Sequence, residues 1–136
     1  MSNSEGEKLS EKEAFANAYY YFVRALEVLA ADAATQCDSM GNFNVAWEIK
    51  DDVVRGAGVI NMPNNGLSLE EKGAIAGIVA ALNKLPSSVF VTATTRTDNM
   101  IAMKHPDWIT IRNAASNLLR LLDRTTRRNQ DFLFGA

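Results

Sequence analysis

One cysteine in 136 residues, Cys37, excludes an intramolecular disulfide and a thiolate-built zinc site. One histidine, His105, excludes a two-histidine metal site within the chain. The longest near-apolar stretch, residues 73–82, is ten residues long; a membrane span needs about 20, so it reads as a core helix. Met1 to Glu13 are mostly polar and charged, with no apolar run behind them, which excludes a secretory signal. A P-loop, a G-x-G-x-x-G turn and a G-x-S-x-G elbow are all missing. Charge of either sign is nearly balanced, 14 basic against 16 acidic residues, which argues against a general polyanion binder. These absences lead us to expect a cytoplasmic protein with no cofactor, no membrane contact and no nucleic-acid partner.

What is present is ordinary globular material. Hydrophobic residues make up 47% and charged residues 22%, and 14.9 kDa supports one core. Residues 1–9 carry Ser, Asn, Gly, Glu and Lys and are expected to be disordered or frayed, leaving 10–136 as a single helical domain. Ser10 and Glu13 have the spacing of a capping box. Behind them Phe15, Tyr19, Phe22, Val23, Leu26, Leu29 or Ala30, Ala33 and Cys37 recur at steps of three and four, predicting one long helix that Gly41 stops. Asn42 or Asn44 can cap a second helix carrying Val45, Ile49 and Val53. Residues 62–66 read as a turn.

Ser68 and Glu71 form a second capping box, ahead of a stripe of Ile75, Ile78, Val79, Leu82 and Leu85 that Pro86 ends. Gly73, Gly77 and Ala81 lie on another face, where a neighbouring helix could come close. Residues 87–97 mix strand formers without a clean period and are expected to form a short or irregular helix. Asp98 or Asn99 would cap a turn through Met103. The last helix starts at Pro106, with Trp108, Ile111, Ala115, Leu118 or Leu119, and Leu122 inward. The expected architecture is an all-α, single-domain bundle of four to five helices with short connections.

Three constellations stand out. Glu48, Asp51 and Asp52 share one helix face, with Trp47 beside them and Arg55 offsetting part of the charge. Helical carboxylates can hold Mg²⁺ or Mn²⁺. The spacing Glu48-Ile49-Lys50-Asp51 is similar to one half of the E-x-x-E/D pairs of all-α nucleotide pyrophosphohydrolases. The second half is missing, because Glu71 is followed three residues later by Ala74. A solvated acidic face explains the same residues. In Tyr19-Tyr20-Tyr21-Phe22 the side chains point about 100° apart, so Tyr20 or Tyr21 must face another helix or solvent. Arg120, Arg124, Arg127 and Arg128 make the last helix locally basic, which suits the helix dipole and could also track phosphates. Cys37 reads as a small core residue, and His105 has no evident nucleophile or orienting partner.

In general character the chain resembles the small, acidic, helical immunity proteins of bacterial toxin systems. The likeness is one of type and covers no defined motif. It implies a stoichiometric inhibitor that covers a cognate toxin. The reading taken from the sequence is therefore a non-catalytic protein-binding module whose contact residues are Trp47, Glu48, Asp51, Asp52, Tyr20 and Tyr21, with self-association left open. A metal-dependent hydrolase using Glu48, Asp51 and Asp52 is the alternative, and a nucleic-acid-associated regulator using the last helix the third.

Overall fold

The computed structural model describes the backbone of residues 4–41, 43–90 and 95–135, and their side chains from Ser10 onward. Its first helix, α1 (Ser4–Ala30), begins six residues before Ser10. Ser10 is thus inside the helix and not its cap. The inward stripe is as periodicity predicts: Phe15, Tyr19, Phe22, Val23, Leu26 and Leu29 are all buried.

The described residues form seven α-helices and two 3-10 turns with no strand, so the architecture is all-α and the expected count of four to five is corrected upward. Two breaks account for much of the difference. The predicted long first helix stops at Ala30, and α2 (Ala33–Met40) starts afresh because the Asp32 carboxylate accepts from the Thr35 N–H at 2.8 Å. Those hydrogen bonds from Thr35 hold the Asp32 carboxyl below its usual range. The apolar stripe runs on across this break through Ala33 and Cys37, which hides it from a periodicity argument. Gly41, at φ 73°, ends α2 as expected.

The predicted last helix also divides, into α6 (Asp107–Leu121) and α7 (Asp123–Phe134). Leu122 has ψ −2°, well open of the helical value near −42°, so the axis turns without a glycine or proline to mark it. The turn brings Thr125, Thr126 and Asn129 of α7 inward, where they bond to the Glu71 carboxylate, the Tyr19 hydroxyl and the Ala16 carbonyl.

Asn44 caps α3 (Val45–Gly56) by accepting from the Trp47 N–H at 3.1 Å, and a 3-10 turn (Ala57–Asn61) follows. The 62–66 turn has the expected left-handed residues, Asn64 and Gly66. Both hydrogen bonds of the Ser68–Glu71 capping box are made, opening α4 (Leu69–Asn83). Gly73 and Gly77 meet nothing within 4 Å among the described residues, so the expected close approach is not found at either, while Ala81 is half-buried against the core. A second 3-10 turn (Ser87–Phe90) falls in the ambiguous stretch; residues 91–94 lie outside the described residues.

Thr95, not Asp98 or Asn99, caps α5 (Arg96–Met103). Asn99 is fully buried instead. Its side-chain oxygen accepts from the Val45 N–H at 2.9 Å, and its nitrogen donates to the Phe43 carbonyl at 2.8 Å. It therefore satisfies the start of α3 from a distant helix. α1 is the central element, packing on α6, α3 and α7. No described helix is long and apolar enough to cross a membrane.

Candidate functional site

The buried face of α3 is Val45, Ala46, Ile49 and Val53. Helical geometry then forces the remaining positions outward. Trp47 is 50% exposed, Glu48 and Asp51 are half-buried, and Asp52 is exposed. Phe43, just before the helix, is 68% exposed. Arg55 pairs with Asp51 at 3.1 Å, a contact between two side chains one turn apart. The Asp52 carboxyl is pushed above its usual range, first by desolvation and then by the neighbouring Asp51, while Arg55 opposes the shift.

Asp52 is desolvated because it stands on a groove between α1 and α3. The groove encloses about 540 Å³, and its floor is apolar: Ala18, Phe22, Ala25 and Val28 from α1, Ile49 and Gly56 from α3. Tyr21, Arg24, Asp52 and Arg55 are its exposed members. The two helices meet at Gly56. A Cβ built there would stand 2.9 Å from Cδ1 of Phe22 and 3.3 Å from its Cα. Glycine is what permits this approach.

The tyrosine run resolves as its angular spacing requires. Tyr19 and Phe22 are in the core. Tyr20 is half-buried, with its ring 5.8 Å from that of Phe134 in an edge contact and the Arg24 guanidinium over its face. Tyr21 is 70% exposed and stands at the groove. Of the six residues expected at a contact surface, Trp47, Glu48, Asp51 and Asp52 lie on α3, and the groove brings Asp52 together with Tyr21. Tyr20 belongs to a different contact, between α1 and the end of α7.

Among the described residues, no three His, Cys, Asp or Glu side chains gather closely enough to hold a metal ion. Glu71, which the pyrophosphohydrolase comparison needed in a second carboxylate pair, is 8% exposed and turned inward. It accepts from the Ser68 N–H at 2.8 Å and from the Thr125 hydroxyl at 2.5 Å. Cys37 is buried, and burial pushes its thiol up, away from a reactive thiolate. The His105 ring nitrogen accepts from the Asp107 N–H at 3.1 Å, a local contact at the start of α6. Arg120, Arg124, Arg127 and Arg128 are all exposed, with Arg127 paired to Asp123 at 3.1 Å.

Periodicity reasoning missed several residues that shape this surface. Phe43 lies outside any helix, so no period flags it. Ala18, Ala25 and Val28 were hidden by the stronger stripe beside them on α1. Gly56 reads in sequence only as a weak helix former. No protein-family model matches the chain, and neither does any curated protein or solved structure.

Proposed function

We propose that this chain is a non-catalytic protein-binding module whose contact surface is the outer face of α3 with the adjoining edge of α1. The observation that carries the reading is the placement of large exposed aromatics beside carboxylates. Trp47 and Phe43 stand out from the α3 end, and Tyr21 stands at the groove with Asp52. Exposed aromatic side chains supply the apolar anchors of protein interfaces. The carboxylates supply steering, since like charges on one helix face attract a basic partner and speed its arrival. In its narrower form the module is an inhibitor of the immunity-protein type, which binds a cognate toxin one to one.

The test is an association measurement. The partner is first captured on the immobilised chain from the cells that encode it, in parallel with a variant carrying Trp47→Ala, Asp51→Lys and Asp52→Lys. A protein held by the wild type and lost by the variant is then purified. Its association with Asp51→Lys/Asp52→Lys alone should be slowed, most visibly at low salt. Equal retention by both chains, or an unchanged rate, refutes the reading. A toxin whose activity falls in proportion to added chain would establish the narrower form; a partner with no such activity would refute it.

A further inference from the structure

α1 carries two apolar stripes. The first, Phe15, Tyr19, Phe22, Leu26 and Leu29, is the core stripe. The second, Ala14, Ala18, Tyr21, Ala25 and Val28, advances by four, three, four and three residues and lies about 100° round the helix from it. That is the spacing of a coiled-coil seam. It runs about 21 Å, or four turns, at 1.5 Å per residue. α3 covers the edge of α1 nearest Phe22, and the groove is what remains between α3 and the second stripe.

We infer that the groove between α1 and α3 seats one amphipathic helix of a partner protein, with large aliphatic side chains at steps of three and four and a Lys or Arg placed against Asp52. This rests on the protein-binding reading above and names the element that the partner contributes. Three observations select the occupant. The 3.5-residue period of this partly exposed stripe matches a helix laid alongside; an extended strand, with period two, would fall out of step. Between Phe22, Val28 and Ile49 the floor carries Ala18, Ala25 and Gly56, whose small size leaves room for large side chains from the other molecule. A second copy of α1 would set Ala14, Ala18 and Ala25 against one another and leave that space unfilled.

Charge decides the rest. Arg24 pairs with Glu27 at 3.6 Å and Arg55 with Asp51 at 3.1 Å. Asp52 makes no ion pair among the described residues, although burial against the groove has already cost it part of its hydration. A basic side chain on the occupant restores a charge partner there.

The experiment is a selection of the purified full chain against a display library of single amphipathic helices with randomised faces. Enriched helices should share large aliphatic residues at steps of three and four and a basic residue at one fixed position. Binding should weaken about tenfold or more on Ala25→Gln. It should weaken likewise on Tyr21→Arg, a change at an exposed side chain that leaves the core untouched. With Asp52→Lys, replacing the peptide's basic residue by Glu should restore the lost affinity. No enrichment, or binders indifferent to all three substitutions, overturns the inference. Binders lost on Trp47→Ala but not on Tyr21→Arg also overturn it, while leaving the α3 contact surface standing. Self-association in sedimentation that Tyr21→Arg abolishes overturns it in favour of a second copy. The contact-surface reading fails separately, when the native partner ignores the Asp51→Lys/Asp52→Lys change.

Discussion

α1 meets its neighbours in two different ways. Toward α7 the joint is polar, and α7 is bonded in turn to α4. The Tyr19 hydroxyl lies 2.8 Å from the Thr126 hydroxyl, the Asn129 amide donates to the Ala16 carbonyl at 3.0 Å, and Thr125 donates to Glu71. Burial there pushes the Tyr19 phenol up to about 12, so it stays protonated as a hydrogen-bonding group. Toward α3 the contact is apolar, Phe22 against Gly56 with Ile49 and Val53 behind, and it leaves an open groove. In the α7 joint the buried polar groups are bonded to one another. The α3 joint, held by shape, leaves apolar surface and a carboxylate uncovered, and that is where we propose recognition.

The comparison can be broken from either side. The largest effect is expected where the apolar contact meets the core. Phe22→Ala should cost about 3–5 kcal/mol in denaturant unfolding, with Leu26→Ala, Ile78→Ala and Leu118→Ala at about 2–5 kcal/mol each. A loss under about 1 kcal/mol at all of them would mean that the buried faces are misassigned. On the polar side, Glu71→Ala removes the acceptor of both the Ser68 N–H and the Thr125 hydroxyl. About 1–3 kcal/mol should be lost, and hydrogen exchange should rise in α7 and at the start of α4 more than in α3. Uniform loosening would show that the two joints are not separate.

Gly56→Ala should cost about 1–3 kcal/mol, since its Cβ meets Phe22 side chain and backbone. A neutral result would mean that α1 and α3 part easily. The smallest effect belongs to Asp52. Its folded pKa is raised from 3.8, so its charged form weakens the fold as pH rises through that value, and the protonated form does not. Asp52→Asn should slightly raise the thermal midpoint at pH 7 and leave it unchanged near pH 3. A lower midpoint at pH 7 would place a stabilising ionic contact at Asp52.

Much of this architecture is legible in local chemistry. Ser68 and Glu71 announce α4 because a capping box is confined to four residues, and the stripes of α1 and α6 follow from a 3.6-residue period. Legibility ends where the determinant is distant. Asn99 looks like a helix cap in sequence, yet it satisfies α3 across 54 residues of chain, because α5 happens to bring it there. Gln36 is fully buried by donating to the Val28 and Leu29 carbonyls and accepting from Arg112, partners that no spacing rule connects. The break at Leu122 has no glycine or proline, only a ψ that tertiary contacts open. At the candidate site, Trp47 and the carboxylates are visible as one helix face. The groove is not, since it exists only once α3 lies beside the second stripe of α1.

Hydrogen exchange of the chain with and without its purified partner is the most direct test of where recognition occurs. Protection on binding should concentrate in residues 18–28 of α1 and 47–56 of α3, with α6 and α7 unchanged. Protection centred on Arg120 to Arg128, with none on α3, would contradict the account.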